Sequence, residues 1–175
     1  MKRVILVNGV PASGKSTVAR AIADAGHWPL LALDTVKEAL FAHLGTGDRD
    51  YNRMLGRASY QAMFALTAEF PGGMTVVMDA WFGFQPPEVL SMHIADAGVT
   101  QVVQVWCQAP PAEIGRRYLS RAGERSAGHL GAGYVPELIA LAGRATPLTG
   151  YPTSTIDTTT RFDANAVMAW LKASG

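Results

Sequence analysis

Apolar and polar positions along this chain follow two alternating periods. Nearly continuous apolar runs at residues 4–7, 30–33, 75–78 and 102–106 predict strands covered on both faces, and a weaker run at 154–156 predicts a fifth. Between them the spacing shifts to a helical period. It predicts helices over 16–25, 35–44, 49–70, 87–97, 112–119, 136–142 and 164–173. Strand–helix alternation on this scale is the sequence form of an α/β domain, a parallel sheet with helices on both faces. Two stretches break the rhythm. Residues 122–134 hold four glycines and little periodicity, which predicts a mobile loop between two helices. Residues 146–160 carry Pro147, Gly150, Pro152 and many threonines, so the fifth strand is the weakest of the set. Nothing divides the chain, and residues 1–175 read as one domain.

Composition narrows the picture. Apolar residues make up 49% of the 175 and charged residues 17%, enough apolar side chain for a full core. Fifteen Lys and Arg against fourteen Asp and Glu leave no basic excess, which argues against nucleic acid as a partner. Cys107, the one cysteine, lies in an apolar run and reads as a buried, inert thiol. The apolar stretch behind Lys2 and Arg3 is about five residues, short of the roughly 7–15 of a secretory leader. No run approaches the ~18 apolar residues of a membrane span, and a cytoplasmic protein is expected.

The sharpest signal is Gly9-Val10-Pro11-Ala12-Ser13-Gly14-Lys15-Ser16, a match to G-x-x-x-x-G-K-[ST] between a predicted strand and a predicted helix. At this composition the pattern arises by chance in about half a percent of such chains, so it is read as a phosphate-binding loop. Glycines let the backbone turn tightly and point successive N–H groups inward, and the following helix adds its unpaired donors and dipole. Gly9, Pro11, Ala12, Ser13 and Gly14 would wrap the phosphates of a purine nucleoside triphosphate. Lys15 would reach the β- and γ-phosphates, the Ser16 hydroxyl would ligate Mg²⁺, and Thr17 would contact the α-phosphate.

Two acids and a set of arginines point to the reaction. Asp34 follows Leu31-Ala32-Leu33 at the expected carboxyl end of strand two, where ligands of such sheets bind. It can accept the proton of an attacking hydroxyl, or serve as an N-cap for the helix from Thr35. Asp79 ends the run Thr75-Val76-Val77-Met78 and suits either the Mg²⁺ shell or a substrate hydroxyl. Ala80 comes next, where motor ATPases place a water-activating glutamate, and no guanine-reading Asn-Lys-x-Asp occurs. Phosphoryl transfer to a bound acceptor therefore fits better than a motor or a GTPase. Arg116, Arg117, Arg121 and Arg125 lead into the glycine loop. Arg117 and Arg121 share a helix face, and such guanidinium groups on a closing lid, about 117–134, would stabilise the charge of a transferring phosphoryl.

At this point the chain resembles the chloramphenicol phosphotransferase-like group of small P-loop kinases. The resemblance rests on the loop with Lys15-Ser16, on Trp28, Leu33-Asp34-Thr35 and Glu38-Ala39-Leu40, on Val77-Met78-Asp79-Ala80-Trp81-Phe82-Gly83, and on Arg117, Arg121 and Arg125 before Ala127-Gly128. It covers about residues 3–130. What it implies is a three-layer kinase fold of the nucleoside monophosphate kinase type, with a five-stranded parallel sheet and a lid. Asp34 would match the proposed base and Asp79 the strand-three acid, with ATP and Mg²⁺ as cofactors and a small-molecule hydroxyl as acceptor.

The acceptor is expected between helix two and strand three. Arg53, Arg57, Tyr60 and Phe64 fall on one helical stripe, where the two arginines either clamp an acceptor carboxylate or phosphate or form a surface face. Trp81, Phe82 and Phe84 either wall the pocket or pack the core. His43, His93 and His129 have no partner spacing and receive no role. A polynucleotide 5′-hydroxyl kinase and a non-catalytic nucleotide-binding module are the alternatives to a small-molecule kinase.

Overall fold

The computed structural model describes residues 1–121, 123 and 128–174. Among them the strands β1 (Arg3–Asn8), β2 (Leu30–Ala32), β3 (Thr75–Ala80), β4 (Gln101–Gln108) and β5 (Thr153–Asp157) form one sheet, ordered β2-β3-β1-β4-β5. Every pairing is parallel. The helices are α1 (Lys15–Gly26), α2 (Leu33–Leu44), α3 (Arg49–Glu69), α4 (Pro87–Asp96), α5 (Pro111–Arg121), α6 (Val135–Arg144) and α7 (Ala164–Ala173). This is the expected α/β P-loop kinase fold.

Alternate residues of the same strands feed the two faces, because successive side chains of a strand point opposite ways. Ile5, Val7, Val77, Val103 and Val105 meet Val18 and Ile22 of α1 and Val167 and Leu171 of α7. Val4, Leu6, Val76 and Met78 meet Tyr60, Met63 and Phe64 of α3 and Leu90 of α4. Such residues contribute about 1.5–3 kcal/mol each when fully buried. A third cluster joins Ile114 and Tyr118 of α5 to Leu138 of α6 and to Val10, at the sheet's carboxyl end. The phosphate loop is thereby tied to α5.

The register brings strand ends level where it matters. Val7 pairs with Asp79, and Asp79 with Ala32, so the end of β1 opens beside the acid one residue short of the end of β3. Strand two stops earlier than its apolar run. Leu33 is already the first residue of α2, with Ala32 as an N-cap that offers no side-chain bond. Asp34 is therefore a first-turn helical residue, not a strand-end or N-cap residue, and its carboxylate suits the positive end of the helix dipole.

At the opposite end of the sheet, the Lys2 ammonium is 8% exposed and closes two helix ends at once. It donates to the carbonyls of Thr67 and Ala68 at 2.8 Å each and of Ala97 at 3.0 Å. The carbonyls of Ala68 and Ala97 lie at ends where a helix leaves acceptors without an internal partner, and that of Thr67 also accepts from the Phe70 amide at 3.2 Å. Lys2→Met should lower the unfolding free energy by about 2–3 kcal/mol in urea titration, because truncation strands buried acceptors. A loss below about 0.5 kcal/mol would contradict this role.

Candidate active site

Between β1 and α1 the backbone takes two left-handed turns, at Ala12 (φ 64°) and Gly14 (φ 83°). The Ser13 amide donates to the Val10 carbonyl at 3.1 Å and tightens the loop. Glycine is required at its first position. A Cβ on Gly9 would lie 2.4 Å from Ser13 Oγ and 2.5 Å from the Cys107 carbonyl oxygen. Helix α1 starts at Lys15 with no side-chain cap and no acid in its first turn, so its leading N–H groups stand available to an anion.

Thr158, just past β5, braces this loop. Its amide donates to Gln108 O at 2.9 Å, and its hydroxyl lies 2.7 Å from Ser13 O. A Cβ on Gly14 would come within 3.0 Å of Thr158 Cβ. Arg117 of α5 holds Thr158 in turn, Nη1 donating to the hydroxyl at 3.0 Å and Nη2 to the carbonyl at 2.8 Å. Its Nε donates to Glu113 at 2.7 Å, and Arg116 with Arg117 holds the Glu113 carboxyl down to about 2. Arg117 thus has its fork on the strand end beside the loop, a contact that sequence spacing did not reveal.

Asp79 is 6% exposed, and its Oδ1 is buried without a hydrogen-bond partner. Burial pushes its carboxyl above the usual range. The Lys15 charge and a hydrogen bond from Ser16 pull it back, and the nearby Asp34 charge adds to the rise. These influences place Lys15, Ser16 and Asp34 around one carboxylate. An unsatisfied carboxylate oxygen beside a serine hydroxyl is the donor set of a magnesium site completed by water and phosphate oxygens, so the residues fit Mg²⁺. Cys107 lies buried below the loop, its thiol pushed up to about 12 by desolvation, and is inert as expected.

A cavity of about 600 Å³ opens from this point. Pro11, Lys15, Asp34 and Asp79 line it, and so do Arg53, Arg57 and Trp81, so the two acids, the loop lysine and the predicted acceptor residues share one space. Others do not. Arg121 ends α5 exposed and lies off the cavity, and Arg125 falls outside the described residues. The α3 stripe divides: Tyr60 and Phe64 are core residues at 0% and 2% exposure, because the sheet covers that half of the helix. Phe82 is likewise core, whereas Phe84 faces the cavity, its ring edge-on to Tyr60 at 5.3 Å.

Several cavity residues escaped the sequence reading. Lys37 of α2 is buried, donates to Asn52 Oδ1 and lies 5.4 Å from the Phe41 ring centroid. Asn52 donates in turn to the Gly128 carbonyl, and Arg49 pairs with Glu137 of α6. His129, given no role from spacing, lies 3.0 Å from the Glu38 carboxylate and lines the cavity. Extending the arginine stripe toward the start of α3, rather than its end, brings in Arg49, Asn52 and Gly56 at helical spacing. His93 packs on Phe64, with ring planes 12° apart.

Comparison with known proteins agrees with this geometry. The family model described as AAA domain matches residues 4–132. The chain belongs to the AAA domain family. No curated protein matches it. Among solved structures, a candidate kinase from Chloroflexus aurantiacus J-10-fl is 29% identical over 99% of this chain and 98% of its own, with a TM-score of 0.86. The APS kinase CysC of Mycobacterium tuberculosis, solved with AMPPNP and APS, is 21% identical over 98% of this chain and 97% of its own, at TM-score 0.61. Shikimate kinase from Bacteroides thetaiotaomicron is 20% identical over 98% and 96%, at 0.59. The last two share the fold with this AAA domain.

The Asp79 carboxyl makes a pH prediction. Its proton is held more tightly in the folded chain than in the unfolded one, so folding grows less favourable as pH rises from the ordinary carboxylate range through the raised value. Without nucleotide or Mg²⁺, Asp79→Asn should melt above the wild type at neutral pH, with a gap that widens as pH rises through that window. A gap that stays flat or reverses in differential scanning fluorimetry would contradict the assignment.

Proposed function

We propose that this AAA domain transfers the γ-phosphoryl group of ATP to a hydroxyl of a small molecule, an antibiotic, a sugar or another metabolite. One observation carries the proposal: Lys15 and Asp79 at the phosphate loop open into the same cavity as Asp34 and the arginines of α3. A triphosphate tail and an acceptor alcohol thus have a common space, with acids on both sides of the meeting point. The resemblance of Asp34, Asp79 and their neighbours to chloramphenicol phosphotransferase-like kinases supports an alcohol acceptor. The kinases of shikimate and APS that share the fold support a small one.

In this reading the loop from Gly9 to Ser16, with Thr17, binds the triphosphate through backbone N–H groups, and Lys15 neutralises its terminal oxygens. Asp34 orients the acceptor hydroxyl and accepts its proton as the oxygen bonds to the γ-phosphorus. The bond from that phosphorus to the β–γ bridging oxygen breaks, and ADP departs with the electron pair. Ser16 and Asp79 hold Mg²⁺, which supplies charge neutralisation on the phosphates when bound. Arg121 and Arg125, on a lid of about residues 117–134, bring positive charge toward the transferring group, while Arg117 holds the loop from the side through Thr158. Arg53, Arg57 and Trp81 line the acceptor end.

An ATP-consumption screen across hydroxylated metabolites and antibiotics identifies the acceptor. With that acceptor, Asp34→Asn should cut turnover by ~10²–10⁴-fold while ATP-analogue affinity is kept. Lys15→Ala should lose turnover with the fold retained. Turnover that survives either substitution in a folded protein would refute the reading, and transfer that never occurs with any acceptor would favour a binding module.

A further inference from the structure

The far wall of the cavity carries more positive charge than a triphosphate needs. Five Lys and Arg side chains line the space against three carboxylates. Lys15 belongs to the phosphate loop, Arg49 is bonded to Glu137, and Lys37 to Asn52. Arg53 and Arg57 remain. Among the described residues Arg53 reaches only Asp50, at 3.4 Å, and both partners are well exposed, at 58% and 89%, a pairing worth little. Arg57 has no hydrogen bond or ion pair to any described residue. Both stand on α3, which packs on the sheet face opposite α1, so they approach the cavity from across the phosphate loop.

Between them lies Gly56. It is buried in the middle of a 21-residue helix, where glycine costs about 1 kcal/mol relative to alanine. Its absence of a side chain has no packing reason, since a Cβ built there meets no atom within 4 Å. Neighbouring buried positions of the same helix, Leu55, Ser59 and Tyr60, all carry side chains. The empty volume over Gly56 is cavity, flanked by two guanidinium groups and lined nearby by the rings of Phe84 and Trp81.

Building on the phosphotransferase reading, we infer that Arg53 and Arg57 clamp an oxyanion group of the acceptor, a carboxylate or a phosphate monoester, in the space that Gly56 leaves open. The acceptor then carries its anion at one end, an apolar body against Phe84 and Trp81, and its reacting hydroxyl at the Asp34 end. Gly56 sets how large the clamped group can be.

Calorimetry with Mg²⁺ and AMPPNP saturating the phosphate loop tests this, since added anions then cannot settle there. The probes are hydroxymethylbenzoate against its methyl ester, and a hexose phosphate against the free hexose, which separates a carboxylate preference from a phosphate one. At least one anion should bind more tightly than its neutral partner. Arg57→Gln should weaken that anion by about 10–100-fold, the loss of a charged hydrogen bond, and Gly56→Leu should abolish its binding, with AMPPNP affinity unchanged in both. Anions that fail to bind, that bind no better than their neutral partners, or that survive both substitutions overturn the clamp. Arg57→Gln alters an exposed side chain, so it keeps the test valid should Gly56→Leu not fold. A wild type that binds no AMPPNP defeats the phosphotransferase reading instead, whatever the anions do.

Discussion

Main-chain N–H groups at the start of α1 have no partner within their own helix, and the loop before them must hold two left-handed residues to aim them inward. That conformation is held from outside. Thr158 bonds the Ser13 carbonyl and rests against Gly14, and Arg117 fixes Thr158 from α5. The end of β5, Arg117 in the middle of α5 and the loop between β1 and α1 therefore form one unit. The cavity, the acids around it and the arginine-bearing wall of α3 lie against this frame.

Asp79 shows where the frame gives up stability. A carboxylate driven into the end of β3 loses its hydration, and its Oδ1 gains no protein partner in return. Hydrophobic residues at the same register would cost less. Lys15 and Ser16 offset part of the penalty and are the groups that a nucleotide and its metal would engage, so the strain sits where a ligand relieves it.

Features set by local pattern were legible in the sequence. The four continuous apolar runs became β1 to β4, with β2 a short strand at the sheet's edge, and the loop motif, with its strand before and helix after, located the phosphate loop. Asp79 was visible because it ends an apolar run. Asp34 was visible as well, although the helix dipole draws it into α2 rather than leaving it at the strand's edge. What escaped depends on partners far along the chain. Arg117 with Thr158, Asn52 with Gly128 and Glu38 with His129 are joined across 41, 76 and 91 residues, and no spacing rule connects them. The α3 stripe was read toward its buried end because periodicity marks a face without saying where the sheet beneath it stops. Tyr60 and Phe64 lie over the sheet, and Arg53 and Arg57 stand over the cavity.

The central claim concerns which backbone amides receive the triphosphate. Titrating the ¹⁵N-labelled protein with AMPPNP and Mg²⁺ addresses it directly. The largest amide shifts should fall on Gly14, Lys15 and Ser16, with smaller ones at Asp79 and Thr158. Shifts confined to other parts of the chain, with those amides unmoved at saturating nucleotide, would contradict the account.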